Sequence, residues 1–208
     1  RDAAVDCDLV FSVKPEVDTA IVDAIVQSFP NSIIMTVENR GRDIRPFLLQ
    51  FRMLRELGYQ FICKIHSKKS IHRDDGDRWR RSLIDPMLEP DARVNCLRRF
   101  RQSSELGMLI PTGCRMTMED PAVYLGAKRQ LDEVLVCIGQ ADKIDRYEFF
   151  FPAGSMYWLR VAAYEALGSL DIERFEEEAG QLDGTYAHAI ERVMALIAIE
   201  SGYAVEEC

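Results

Sequence analysis

The sequence predicts an α/β fold: a single domain with a mainly parallel, Rossmann-like sheet flanked by helices. Three observations lead there. Strand-like and helix-like segments alternate along all 208 residues, and no stretch rich in Pro, Gly and Ser divides them. A chain of this length that is 48% apolar can bury one sizeable core. The order β-α-β-α-β at the amino end requires right-handed crossovers, and hence parallel strands.

Each element follows from its pattern. Residues 8–13 (DLVFSV) read as a buried strand. Val17, Ile21, Ile25 and Phe29 recur at helical spacing and predict a helix over 16–29. Pro30-Asn31 breaks it before a second strand at 32–37. Asn39-Arg40-Gly41-Arg42-Asp43 forms a turn that opens a helix from about 46 to 57, where Pro46 suits the first turn. Gly58 ends that helix, and YQFICKIH (59–66) is the third strand. Short helices follow over 78–87 and 91–103, then a strand at 107–112, a helix over 121–138 and a kinked strand over 148–160. A short helix covers 161–167. An acidic turn precedes the last helix, 184–201, with Asp183 as its N-cap.

The charge distribution points to a function. The net charge is −8, which argues against generic nucleic-acid binding. Between Asn39 and Arg81, however, twelve Lys and Arg face five acids, leaving +7 there and −15 elsewhere. A local cationic zone on an acidic protein predicts a discrete anion site. In parallel α/β sheets ligands collect beyond the carboxyl ends of the strands, where both the Asn39–Asp43 turn and the loop after His66 emerge. The six cysteines are scattered without a C-x-x-C pair and read as reduced core thiols. No apolar run reaches the roughly 18–20 residues that span a bilayer. The chain opens on Arg1, so residues 1–208 read as one domain of a longer protein.

Five motifs carry candidate chemistry. In the first, Gly41 permits positive φ, while Asn39 and Asp43 can tie the turn and Arg42 can meet a phosphate at the helix start; a turn with solvated arginines fits equally. In the second, Lys64, His66, Lys68 and Lys69 combine point charges with directional donors suited to a diphosphate, though a basic surface loop has the same composition. His66 would donate to the leaving phosphate or act as a base. Asp75 and Asp77 could hold a divalent ion such as Mg or Mn, or cap the helix after them. Around Gly154-Ser155-Met156-Tyr157-Trp158, small residues admit a substrate and Trp158 or Tyr157 can stack on a sugar face; core packing is the competing use. On the last helix His188, Glu191 and Arg192 share neighbouring faces. Asp183 is the first candidate for general base and His188 the second, against a structural salt bridge with a satisfied histidine.

The tracts NRGRDIRPFL, YQFICKIHSKKSIHRDDGDRWR, FPAGSMYWLR and DGTYAHAIERV together resemble the rhamnan synthesis protein F family over about residues 30–203. The resemblance implies a glycosyltransferase, such as a rhamnosyltransferase, building rhamnose-containing cell-surface polysaccharide of bacteria. A looser similarity is to nucleotide-sugar transferases of the GT-A fold. There a D-x-D at the third strand's end holds a metal, and a G-x-x-x-x-R strand precedes an E-D dyad. Gly154 to Arg160 resembles that strand and Leu182-Asp183 stands at the dyad, but Lys64-Ile65-His66 replaces D-x-D. The implied donor is a nucleotide-diphosphate sugar such as dTDP-rhamnose. Arg42, His66, Lys68 and Lys69 would neutralise its diphosphate in place of an ion, with a glycan or lipid-linked acceptor at the cytoplasmic face of the inner membrane. The parent protein could associate peripherally with that membrane. Two alternatives stay open: a non-catalytic glycan- or lipid-diphosphate-binding module, and a metal-dependent phosphoesterase using His66, His72, Asp75 and Asp77.

Overall fold

The computed structural model describes residues 7–67 and 76–208. Strand β1 (Val10–Val13), helix α1 (Thr19–Ser28) and strand β2 (Ile33–Thr36) form a β-α-β unit whose strands pair in parallel. Asp18 starts α1 by accepting from the Ala20 amide, satisfying one of the donors a helix start leaves without an internal partner. Helix α2 (Ile44–Glu56) then leads to β3 (Phe61–Lys64). The helical hairpin α3 (Gly76–Leu88) and α4 (Pro90–Gln102) precedes β4 (Leu106–Ile110) and β5 (Arg115–Thr117). Helices α5 (Pro121–Tyr124) and α6 (Lys128–Cys137) lead to β6 (Phe150–Pro152) and β7 (Tyr157–Arg160), and α7 (Tyr186–Glu200) and β8 (Ala204–Glu207) complete the chain.

The α/β class holds, but the sheets are mixed. The main sheet has the order β3-β7-β4-β8, with β7 antiparallel to both β3 and β4, and β8 parallel to β4. Three strands thus run one way and β7 runs against them. The reversal follows from the turn at Gly154 and Ser155, both at positive φ (94° and 55°). That turn sends the chain back between β3 and β4, where the parallel expectation placed a crossover. Strands β5 and β6 form a separate antiparallel pair.

Both faces of the main sheet are covered, which is why its strands read as continuous apolar runs. Ile62, Met108, Ile110, Tyr157 and Leu159 pack with α2, α6 and α7, while Cys63, Leu109, Met156 and Trp158 pack with α3 and α4. Twelve of the fifteen residues of α7 are buried, the pattern of a helix enclosed on every side. The helix expected over 121–138 is interrupted by a 3-10 turn, Leu125–Ala127. No helix among the described residues is long and apolar enough to cross a membrane. All six cysteines are free.

Arg160 locks the sheet to the helical hairpin. Its Nε donates to the Leu106 carbonyl at 2.8 Å, and its Nη2 to those of Phe100 and Ser103 at 2.7 and 2.6 Å. The guanidinium also lies over Phe61 and Phe100. Removing it strips three carbonyls of their donor, at about 1–3 kcal/mol for each that water does not reach. Arg160→Ala should therefore lower unfolding free energy by about 2–3 kcal/mol in urea titration; a loss below about 0.5 kcal/mol, the scale of an ordinary surface substitution, would show the arginine to be a surface group.

Candidate functional site

The end of β3 carries Lys64, whose side chain is 3% exposed. An ammonium has three N–H donors, and here three oxygens receive them: Asp43 Oδ2 at 2.5 Å, the Ser155 carbonyl at 2.6 Å and Ser155 Oγ at 2.8 Å. Phe47 and Tyr157 supply ring faces 5.6 and 5.4 Å from the charge. Asp43 sits at the N-cap position of α2 but makes no side-chain cap bond, because its carboxylate is turned to Lys64. Lys64 thus ties together the turn after β2, the end of β3 and the β6–β7 turn. All three of its donors are met within the protein.

His66, two residues further, donates from Nε2 to the Gly154 carbonyl at 3.0 Å and lies 3.8 Å from Asp43 Oδ2. Burial alone would raise the Asp43 carboxyl. The Lys64 charge, the His66 ring and the Lys64 hydrogen bond outweigh it and hold the group far below its ordinary value of 3.8.

A second group adjoins the first. Gly41 and Arg42 both take positive φ (65° and 57°), and a Cβ on Gly41 would lie 2.4 Å from Phe175. This bend aims exposed Arg42 across to the other motif, where its Nη1 meets the Gln181 carbonyl and His188 Nε2, each at 2.8 Å. Arginine can only donate, so Nε2 must accept and the imidazole proton resides on Nδ1. That nitrogen donates to Thr185 Oγ1 at 2.7 Å, the much shorter of its two contacts, since the Thr185 amide stands 3.4 Å from it, and the same oxygen accepts from the His188 amide. Burial first, then the Arg42 charge, push the His188 pKa below its ordinary 6.5; Arg192 adds to this, while Asp183 and Asp43 oppose it.

Thr185, not Asp183, caps α7. Asp183 lies two residues before it and is bound instead by Arg192 Nη2 at 2.9 Å, while Arg192 Nε donates to the Val123 carbonyl. Gly126 makes room for the carboxylate, since a Cβ there would lie 2.4 Å from Asp183 Oδ2. The hydroxyl of Tyr157 is pushed well above its usual value by burial first and then by the charges of Tyr164, Asp43 and, on α7, Glu191.

The structure therefore gathers Arg42, Asp43, Lys64, His66, Gly154, Ser155, Asp183, His188, Glu191 and Arg192 into one polar cluster. Asn39 contributes its carbonyl, which accepts from the Glu178 amide. Trp158 does not join: it occupies the opposite sheet face and gives its indole N–H to the Met87 carbonyl. Its neighbour Tyr157 pairs with Lys64 and faces the cluster. Lys68, Lys69, His72 and Asp75 lie outside the described residues. Asp77 is exposed on the first turn of α3 and pairs with Arg80 at 3.3 Å. Among the described residues no group of three His, Cys, Asp or Glu could hold a metal ion.

Much of the cationic zone serves the fold. Arg40 donates to the carbonyls of Glu173 and Phe175, Arg45 to Ile172 and Arg52 to Leu170, strapping 170–175 over α2. Glu176 continues the strap, its carboxylate accepting from the Tyr186 amide at the start of α7. Gly126 and Gln181 escaped the sequence pattern because their partners, Asp183 and Arg42, lie far along the chain; Glu176 and Thr185 act more locally, on Tyr186 and His188, and a threonine at the start of a helical run is a cap signal that could have found Thr185. Two surface clefts, of about 160 Å³ beside Ile138 and Glu200 and about 330 Å³ beside Asp8 and Tyr59, lie away from the cluster.

Two ionisations contribute to the pH response. The unfolded chain protonates His188 near its ordinary 6.5 and the native chain only at lower pH, so stability falls as pH drops below about 6.5. The Asp43 contribution is intact through that range and is lost only as pH falls below its ordinary 3.8. The urea midpoint should drop between pH 7 and 5, and His188→Gln should shrink that drop. A drop of unchanged size in the variant would contradict the assignment.

Comparison with known proteins adds the following. The family model described as "Rhamnan synthesis protein F" matches residues 1–203. Two curated relatives, each named "Uncharacterized protein WxcX", come from Xanthomonas campestris pv. campestris strains B100 and ATCC 33913. Each is 37% identical over 173 residues, covering 81% of this chain and 24% of the relative. The chain thus spans about a quarter of the length of the curated relatives it matches. No solved structure matches it.

Proposed function

The chain belongs to the rhamnan synthesis protein F family, and from that premise we propose that it is a glycosyltransferase domain of bacterial polysaccharide assembly. The donor is a nucleotide-diphosphate sugar, with dTDP-rhamnose the first to test, and the acceptor a glycan or lipid-linked glycan. The work is done in the cytoplasm at the inner face of the membrane. One observation carries this proposal: segments more than a hundred residues apart bring exposed Arg42, half-buried His66 and Asp183, and buried His188 and Arg192 around Lys64 and its partner Asp43. The fold is read as GT-A-like because the strand beginning after Gly154 lies directly against the end of β3.

In this mechanism the Arg42 guanidinium, with five donors in a fixed fork, turns to the donor diphosphate together with His66, Lys68 and Lys69. They stabilise negative charge on the leaving group. Gly154 and Ser155 shape the approach to the sugar. Asp183, held by Arg192 on Oδ1, removes the acceptor hydroxyl proton for attack at the anomeric carbon. His188 stays neutral and orients Arg42.

The alternative is a non-catalytic glycan- or lipid-diphosphate-binding module of a larger synthase. It is favoured by the chain's spanning only 24% of its curated relatives and by the saturation of Lys64. Transfer by the purified chain separates the two. Arg42→Ala should weaken dTDP-rhamnose binding at least about tenfold in calorimetry, the scale of one charged hydrogen bond. Asp183→Asn should leave that affinity near wild type and cut transfer by about 10²–10⁴. Unchanged affinity in the first variant, or retained turnover in the second, contradicts these roles.

A further inference from the structure

On the sheet face opposite the polar cluster, thiols from three segments converge. Cys63 of β3, Cys96 of α4 and Cys208, the residue after β8, all pack in the core between that face and the helical hairpin. Cys96 is buried and Cys208 half-buried. The Cys208 thiol donates to the Cys96 sulfur, whose own S–H points to the Pro86 carbonyl at 3.8 Å. Backbone on both sides holds this contact. Arg99, one turn along α4 from Cys96, donates to the Glu207 carbonyl at 2.8 Å and pairs with Glu206 at 2.5 Å. The Cys208 amide donates to the Ile110 carbonyl, and its own carbonyl accepts from the Thr112 amide and hydroxyl. Two sulfurs held side by side on fixed segments meet the first requirement for a disulfide.

We propose that Cys96 and Cys208 form an oxidisable dithiol, which hydrogen peroxide closes into a disulfide that ties β8 to α4. The inference stands apart from the transferase reading. Peroxide reaches half-buried Cys208; its O–O bond breaks, an S–O bond forms, and one water leaves a sulfenic acid on that sulfur. The Cys96 sulfur then attacks Cys208. The S–S bond forms as the S–O bond breaks, and the hydroxyl departs as water with the Cys96 proton. The two thiols give up two hydrogens and two electrons, and one peroxide becomes two waters. Cys96 suits the second step because the hydrogen bond from Cys208, opposed by burial and aided by the Arg99 charge, lowers its thiol. The same hydrogen bond, then burial, push the Cys208 thiol up, so the first step is slow and draws on millimolar peroxide. Burial first, then Cys96 and Cys7, push Cys63 far up and leave it out of the reaction. In a reducing compartment thiol reductants reopen such a bond. While closed, it pins an edge strand otherwise held by its ladder to β4 and by Arg99.

The test uses the full chain with Cys7→Ser and Cys137→Ser, which removes the two exposed thiols and leaves Cys63, Cys96, Cys114 and Cys208. After millimolar peroxide, two of these four thiols should no longer react with a thiol reagent in denaturant, and the mass should fall by two hydrogens. Peptide mapping should place the link between Cys96 and Cys208, and dithiothreitol should restore both thiols. Adding Cys96→Ser should leave a sulfenic acid on Cys208 that dimedone labels. Adding Cys208→Ser instead should give neither link nor label. The oxidised chain should melt roughly 4–12 °C above the reduced one, the response of a protein this size to closing a loop of about a hundred residues. Survival of all the thiols, a link through Cys63 or Cys114, or a link that forms only in urea overturns the proposal. An oxidised chain that melts no higher than the reduced one overturns the latch.

Discussion

A buried ammonium with all three of its protons placed is the constraint from which the rest of the site follows. Lys64 stands on the last residue of β3, in a sheet covered on both faces, where an unpaired charge is costly. Its stabilisation requires Asp43 from one side and Ser155 from the other. Those two demands fix where α2 begins and where the chain turns into β7. The turn at Gly154–Ser155 then sets the reversed direction of β7, and the bend at Gly41–Arg42 sets the direction of the Arg42 side chain. The interaction links the sheet's topology to the position of every polar group beside it.

Around this neutral centre the outer groups keep their capacity to act. Arg42 is exposed and holds a neutral histidine whose proton is confined to Nδ1. Asp183 is steadied by Arg192 over a glycine that leaves it room. Cations at the surface and an internally compensated pair beneath them suit a site that receives negative charge and gives it back. Polysaccharide assembly, to which the family's description ties the chain, supplies ligands of that kind.

Much of this was legible in the sequence, and the gaps have physical causes. The helical period at Ile44–Glu56 and the apolar runs at Phe61–Lys64 and Leu106–Ile110 mark their elements because one local pattern decides them. Strand direction leaves no such trace, so the reversal of β7 was missed. Strand β8, AVEE, offers too few apolar residues to signal itself and exists because β4 has a free edge. Gly126 breaks the helix expected over 121–138 beneath Asp183, a close approach that only three-dimensional packing reveals. Trp158 and Tyr157 alternate faces as strand residues must, but which face meets the site depends on register with Lys64. The oddity of a lysine ending an apolar strand was visible. Its three partner atoms, 21 and 91 residues away, were not.

The most direct measurement is a double-mutant cycle on Lys64→Met and Asp43→Asn, read as unfolding free energy in urea at pH 7. Each single substitution leaves a desolvated partner uncompensated and should cost about 3–5 kcal/mol. The double variant should cost less than the sum by about 2 kcal/mol or more. Costs that add to within about 0.5 kcal/mol would mean the two groups are energetically independent, and would contradict the account of how this site is held.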